Sequence, residues 1–403
     1  MKYLVGFISL VVVLLGVAAL VETKQSPNPP PSSKISPSPS SNAPVSQSLT
    51  TVSKGEIPTI PFKLVPGFTI HTFASGLGTA RDLQFSPGGT LLVSNPGSGE
   101  VYALPDSNKD GVADDKKVVV SNLNHAHGLA FYHGMLYVAA TTQVVRYNWD
   151  ESSLTATKDK GLFSLPANND HNSRTLAIDQ TGKMFISVGS TCNVCNESSD
   201  LSATVLTADA DGNNLKVFAK GLRNAPFIQF NPTTGELWGT EMGRDNLGDD
   251  VPPDEINIIK DGLDYGWPSC YGDKIADKAF NPNAQCQNTQ PPIFQIPAHS
   301  APLGLSFINS SQFPSDWQGD LLVSYHGSWN RSTPTGYKVV HMKVQGSTIT
   351  QAEDFLTGFL PSGALIGPAS ALGRPVDLTF DSQGNLYLSD DKAGNVYIIQ
   401  KNQ

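Results

Sequence analysis

No run of lysine or arginine occurs in this chain, and acidic residues outnumber basic ones 36 to 27, for a formal charge of −9. A surface that neutralises phosphates needs clustered cations, so nucleic acid is excluded as a partner. Cysteine is scarce, with four in 403 residues, and none lies near the N-terminus to take a lipid. The single C-x-x-C pair, Cys192 and Cys195, is followed by Asn196 instead of the histidine that attachment of a c-type haem requires. In an oxidising compartment the simplest pairing joins Cys192 to Cys195 and Cys270 to Cys286. A zinc site would instead need all four to converge.

Charge is also absent from Tyr3 to Val21, between Lys2 and Glu22. Nineteen apolar or small residues suit a signal peptide and also just reach the length of a bilayer-spanning helix. Residues 1–21 are therefore read as a signal peptide or a membrane anchor, the latter tethering the protein through residues 3–21. Either puts the rest of the chain outside the cytoplasm. Residues 22–57 are rich in Pro and Ser, with no core-forming pattern, and read as a disordered linker. Residues 58–403 carry the folded domain. A hydrophobic content of 39% can supply a core, and 36 Gly with 29 Pro imply many turns.

What the domain does have is repetition. A short alternating pattern recurs as Asp82-Leu83-Gln84-Phe85, Gly128-Leu129-Ala130-Phe131, Thr175-Leu176-Ala177-Ile178, Phe227-Ile228-Gln229-Phe230, Gly304-Leu305-Ser306-Phe307 and Asp377-Leu378-Thr379-Phe380. Second and third alternating segments follow each after turn residues, which is the strand signature. Successive inner segments lie 46, 47, 52, 77 and 73 residues apart, so two units carry insertions. Units of this size with four strands each predict an all-β, six-bladed β-propeller. Outer strands are expected at 117–120, 162–165, 215–219, 293–296 and 349–355. The last unit lacks one downstream, so 68–74 is expected to supply it and close the ring.

The loops leading from each outer strand to the next inner strand hold Arg81, His125, His127, His171, Arg174, Arg223, Asn224, His299 and Arg374. Strand alternation places three long loops, 189–202, 241–254 and 325–336, on the same face of the propeller. Taken singly, a loop histidine or arginine is more often a structural hydrogen-bonding residue. Recurrence at one phase of the repeat is what marks this set. A channel mouth lined by Arg, His and Trp suits a flat polyanion.

At His171-Asn-Ser-Arg174, Gly221-Leu-Arg223-Asn224, Asp254-Glu255-Ile-Asn257, Tyr265-Gly-Trp267-Pro268 and Gly373-Arg374-Pro375-Val-Asp377 the sequence resembles the glucose/sorbosone dehydrogenase family. The resemblance runs from about Gly67 to Ile399. It implies a soluble quinoprotein, oxidising an aldose or related sugar with pyrroloquinoline quinone (PQQ) and Ca²⁺ and passing electrons to an external acceptor. It also implies His171 as catalytic base; the adjacent Asp170 is a candidate to orient it, although neighbouring side chains often point apart. Arg223, Asn224 and Arg374 would bind the cofactor, with Arg174 beside them. Main-chain carbonyls of Gly243 and Arg244 would hold the cofactor's Ca²⁺. Three departures stand out: Leu372 replaces a family Arg, Arg244 replaces a Pro, and a cofactor Lys is missing. The loop holding His326, Trp329 and Arg331 takes that lysine's place, and these three are assigned to the cofactor.

Such chemistry has a physical logic. Forked guanidinium groups match carboxylates, Ca²⁺ takes oxygen ligands and polarises a carbonyl, and a neutral His can accept a hydroxyl proton. Separately, Asp106-Ser-Asn108-Lys-Asp110-Gly-Val-Ala-Asp114 has the alternating oxygens of a structural Ca²⁺ loop, although Asp-rich turns also form without metal. Two other readings stand beside the enzyme. One is a non-catalytic extracellular propeller that binds a glycan or protein. The other, a lactone hydrolase, would want inward Asp, Glu and Asn in place of this Arg-rich set.

Overall fold

The computed structural model describes residues 50–51, 58–167 and 170–402. The expected signal peptide or anchor at 1–21, and nearly all of the linker at 22–57, lie outside the described residues.

Six four-stranded antiparallel units follow one another around a central channel. The first is Leu83–Phe85, Leu91–Asn95, Glu100–Leu104 and Lys117–Val120. The sixth takes Pro375–Phe380, Leu386–Asp390 and Asn395–Lys401 from the C-terminal end, and its fourth strand, Phe68–Ala74, from before the first blade. Lys401 pairs with Phe68 and Val396 with Ala74, so closure of the ring occurs within one sheet, as expected.

The strands read as apolar on both sides because blades pack face to face. Six hydrophobic clusters fill the six gaps between neighbours. Leu92 and Val101 meet Leu129 and Val138 between the first two blades. Trp238 and Ile256 meet Leu305 and Val323 between the fourth and fifth. Phe73 and Tyr387 meet Leu83 and Leu91 where the sixth returns to the first. Each buried Leu, Ile or Phe side chain contributes about 1.5–3 kcal/mol, and removing any blade would strip two of these interfaces.

Two features departed from the sequence reading. The outer strand of the second blade is Thr155–Ser164, starting seven residues before the expected 162. Its first half, Thr-Ala-Thr-Lys-Asp-Lys, is largely exposed, so no apolar alternation marks it as a strand. Lys63–Leu64 adds a further strand at the outer edge of the fifth blade, pairing with Leu356 and Thr357, and Thr50–Thr51 pairs with it in turn. Ile60, Phe62, Leu64 and Val65 are buried there against Phe355, Phe359 and Tyr397. The insertion after Ile259 holds a small ribbon, Cys270–Tyr271 with Ile275–Ala276. Both disulfides form between near neighbours, Cys192 with Cys195 and Cys270 with Cys286, which leaves no four-cysteine zinc site.

Around the channel, side chains at the starts of inner strands and, at Thr240, near the end of a second strand bond the next blade. Asp377 accepts from the Leu83 amide at 2.8 Å, Thr240 donates to the Leu303 carbonyl at 2.7 Å, and Thr175 donates to the Pro226 carbonyl. The Gly128 amide donates to the Arg174 carbonyl at 2.8 Å. A Cβ on Gly128 would lie 2.5 Å from that oxygen and 2.8 Å from the Leu176 nitrogen, both backbone atoms. Gly128→Ala is therefore expected to force second and third blades apart, costing about 1–3 kcal/mol. Chemical denaturation should show a lower midpoint, while Gly161→Ala, whose Cβ would meet nothing nearer than 3.9 Å, should change it little.

Candidate functional site

The loops from outer to inner strands and the three long loops meet at one end of the channel. Below them the inner strands enclose a cavity of about 310 Å³, lined among others by Gln84, Phe131, Gln229 and Thr379.

One wall of the mouth is built around His171. Its Nδ1 lies 2.9 Å from Ser190 Oγ and 3.1 Å from the Ser190 carbonyl. Ser190 donates its own hydroxyl proton to the Cys192 carbonyl at 2.7 Å, so both of its oxygens can only accept from the histidine. Nδ1 therefore carries the proton and Nε2 the lone pair. Ser190, and not the adjacent Asp170, is what holds Nδ1. Burial, with Arg223 and Arg174 nearby, lowers the imidazole to about 3, so it is neutral at physiological pH. Gly189 permits this packing, since a Cβ there would lie 2.5 Å from His171 Cβ and 3.2 Å from Asn224 Oδ1. Asn224 continues the wall, its carbonyl accepting from the Met242 amide at 3.0 Å.

Arg223 is buried directly behind. Its guanidinium donates to the Asn193 carbonyl and Oδ1, both at 2.9 Å, to the Met242 carbonyl at 3.3 Å, and to Asp245 at 3.1 Å. Burial lowers its pKa, partly offset by Asp245 and Asp254. The next loop presents Gly243 and Arg244, on whose carbonyls no hydrogen bond ends among the described residues. Asp254 fixes that loop by accepting from the Gly243 amide at 2.9 Å and the Ala301 amide at 2.8 Å. Burial pushes Asp254 up to about 7. The Arg244 side chain turns away to pair with Asp277 at 2.6 Å.

A second wall centres on Asp391. It accepts from His326 Nε2 and from Arg81 Nη1, each at 2.8 Å. Burial alone would raise Asp391, but His326 and Arg81 hold it well below the usual carboxylate range. Burial lowers His326 to about 4 against the pull of Asp391. Arg374 donates to the carbonyls of His326 at 3.1 Å and Gly327 at 2.7 Å, while its Nη1 has no protein partner among the described residues. Trp329 stands on the rim, 64% exposed.

Other residues in the set serve the loops. Arg174 is wholly buried, donating to the carbonyls of Pro166, His171 and Ser173. His127 is equally buried, with Nδ1 donating to the Arg174 carbonyl at 3.2 Å, and His299 donates to the Gly248 carbonyl at 2.8 Å. Arg331 ties its loop to the neighbouring one through the Asp249 carbonyl, the Ala298 carbonyl and Asp250. The recurring cations and imidazoles thus have two causes, and only part of the set faces the mouth. On the opposite face, Asp106, Asp110 and Asp114 accept from amides of their own loop, and Asn108 accepts from the Asp110 amide.

Ser190, Asn193, Asp245 and Asp391 escaped the sequence reading because nothing in local composition distinguishes them. Each acts by meeting a residue on another blade. A cavity of about 20 Å³ behind Arg223 was likewise unseen, lined by Glu241, Glu255, Tyr265 and Asp277. Burial raises Glu241 and Glu255 together, and Glu241 Oε2 has no partner among the described residues.

Residues 62–402 match the family described as TrAA12-like. An uncharacterized protein of Borreliella burgdorferi is 30% identical over 369 residues, covering 87% of this chain and 93% of that one. A pyrroloquinoline quinone-dependent sugar dehydrogenase of Hypocrea jecorina is 26% identical, over 83% of this chain and 88% of its own length. The calcium structure of a Trichoderma reesei carbohydrate-active enzyme of family AA12 matches with a TM-score of 0.75 at 23% identity, covering 87% of this chain and 100% of that one, a likeness of fold. On the match across nearly the whole propeller, the chain belongs to the TrAA12-like family, and the kinship to quinone-dependent sugar dehydrogenases expected from its motifs is borne out.

Proposed function

We propose that the protein is an oxidoreductase that oxidises an aldose or related sugar with PQQ and Ca²⁺ and passes the electrons to an external acceptor. The observation that carries this reading is the His171 wall: a neutral imidazole with its lone pair on Nε2, beside Asn224, with the loop bonded to Asn224 presenting two carbonyls that accept no hydrogen bond among the described residues. Adjacent carbonyls of Gly243 and Arg244 suit a hard cation that takes oxygen ligands. The open Nη1 of Arg374, with Arg81 nearby, suits a carboxylate. These donors fit the cofactor, but the His326–Arg331 loop does not supply the charge of the missing family lysine, since His326 Nε2 is bonded to Asp391 and Arg331 is tied to the neighbouring loop. Bound there, PQQ with its Ca²⁺ would supply an electrophilic carbonyl as the hydride acceptor.

The chain's residues do the remainder. His171 Nε2 takes the proton of the sugar hydroxyl, with Ser190 holding the ring in the required tautomer. Asn224 and Arg374 orient the cofactor, and Arg223 places buried positive charge behind it. Trp329, exposed on the rim, offers an aromatic face on which the apolar side of a sugar or of the cofactor could pack. Arg174 and Arg331 keep the loops in place. Two disulfides fit an oxidising compartment, so the domain works outside the cytoplasm.

Titrating the full-length protein with PQQ and Ca²⁺ should give saturable binding and aldose-dependent reduction of a dye. No binding at micromolar cofactor would sink the reading and leave a propeller that binds a glycan or protein. His171→Ala should lower kcat by about 10²–10⁴ while retaining PQQ binding. Because its pKa lies near 3, His171 should stay neutral from pH 5 to 8 in the PQQ-free protein, visible as an imidazole NMR resonance that does not titrate. Trp329→Ala should raise KM for the aldose by roughly tenfold, equivalent to about 1.4 kcal/mol of lost ring contact, with kcat little changed.

A further inference from the structure

The sulfur chemistry of the molecule lies partly in the site. Cys192 and Cys195 close a ring of four residues in the long loop after Val188, and both are half-buried. The second disulfide, Cys270 to Cys286, is buried in the insertion. Although Cys192, Cys195 and Glu197 bring possible ligand atoms within 4.8 Å of one another, the two sulfurs are bonded to each other. Glu197 is also engaged by the Thr191 amide and hydroxyl, each at 2.7 Å. The ring therefore calls for an explanation other than metal binding.

Its contacts supply one. The Cys192 carbonyl takes the Ser190 hydroxyl proton, so that hydroxyl can only accept from His171 Nδ1. Asn193, the next residue in the ring, receives the Arg223 fork: Nε to its carbonyl and Nη2 to its Oδ1, both at 2.9 Å. The Asn193 side chain also accepts from the Asp245 amide at 2.8 Å and donates to the Asp245 carbonyl at 3.2 Å. Trp267 Nε1 donates to the same Asn193 carbonyl at 3.4 Å. One short ring thus touches the support of the imidazole, the buried guanidinium and the neighbouring loop.

We infer that the ring closed by Cys192 and Cys195 is a positioning element of the site, holding the Ser190 hydroxyl as an acceptor for His171 Nδ1 and setting the orientation of Arg223 through Asn193. Without the crosslink, residues 192–195 have no strand or helix to hold them. The Cys192 carbonyl would then no longer be fixed under Ser190, and the Asn193 oxygens would no longer be fixed as a pair opposite the guanidinium. Such a short closed loop restricts the unfolded chain less than the sixteen-residue separation of the second disulfide. A purely stabilising crosslink would therefore matter less here than there, whereas a positioning crosslink matters more to turnover than to melting. The inference rests on the proposed roles of His171 and Arg223.

The test compares the full-length protein with two double variants, Cys192→Ser with Cys195→Ser, and Cys270→Ser with Cys286→Ser. Opening the first ring is expected to lower kcat about a hundredfold, the scale for a misplacement of about 1 Å, with a smaller fall in melting temperature than the second variant shows. In the PQQ-free protein the Ser190 carbonyl should keep the proton on His171 Nδ1, while the ¹⁵N and ¹H shifts of that Nδ1–H move as the 2.9 Å hydroxyl acceptor is lost. Asn193→Ala keeps the crosslink but removes the Oδ1 acceptor. It should lower kcat or cofactor affinity about tenfold, and it serves if the double variant fails to fold. Wild-type shifts of the His171 Nδ1–H and kcat within threefold of wild type in the ring-opened protein would overturn the inference. If the wild-type protein neither binds PQQ nor oxidises sugar, the functional reading fails by itself, and the ¹⁵N comparison still decides whether the ring holds the Ser190 hydroxyl against His171.

Discussion

Closure of the ring is the constraint on which everything else rests. Phe68–Ala74 pairs with Asn395–Lys401, so the two ends of the folded chain form one sheet. That pairing removes the open edge of the last blade and brings Tyr387 and Leu83 into one apolar cluster. It also brings Asp391, on the last blade, against Arg81, on the first, at 2.8 Å. The second wall of the mouth exists only because the ring is shut.

Within that frame, much of the mouth's polarity is spent on itself. Arg174, Arg331 and most of Arg223 donate to carbonyls and carboxylates of the loops, as do His127 and His299. Buried donors need partners, and loops without regular pairing offer carbonyls that need donors. The arrangement holds long loops in one shape over the channel. The His171 imidazole, the Asn224 amide and the Trp329 ring stand at the mouth, and among the described residues one Arg374 nitrogen and the carbonyls of Gly243 and Arg244 take no hydrogen bond. Preorganisation of this kind lets a site act without first ordering its loops.

The two histidines on opposite walls illustrate how partners assign chemistry. Ser190 offers His171 oxygens that can only accept, so the ring is neutral with a defined lone pair. Asp391 offers His326 a carboxylate already shared with Arg81. Both imidazoles are held below their ordinary range by burial, yet the group behind each one differs in charge. The same side chain therefore brings different electrostatics to the two sides of one mouth.

The strand repeat, the blade count and the closing strand were legible in the sequence, because alternation between turn residues is a local pattern and face-to-face packing makes every blade repeat it. Local pairing of the cysteines was legible for the same reason. The first half of the outer strand Thr155–Ser164 was not, since a solvated edge leaves no apolar signal. Motifs placed His171, Arg223, Asn224 and Arg374 at the mouth, but not what each one touches. Ser190, Asn193, Asp245 and Asp391 became visible only when loops from different blades met. The sequence by itself determined the blades, because a strand's burial pattern is written every second residue. Only the tertiary structure decided which polar groups face the channel and which are consumed in holding it, because hydrogen-bond partners hundreds of residues apart leave no trace in local spacing.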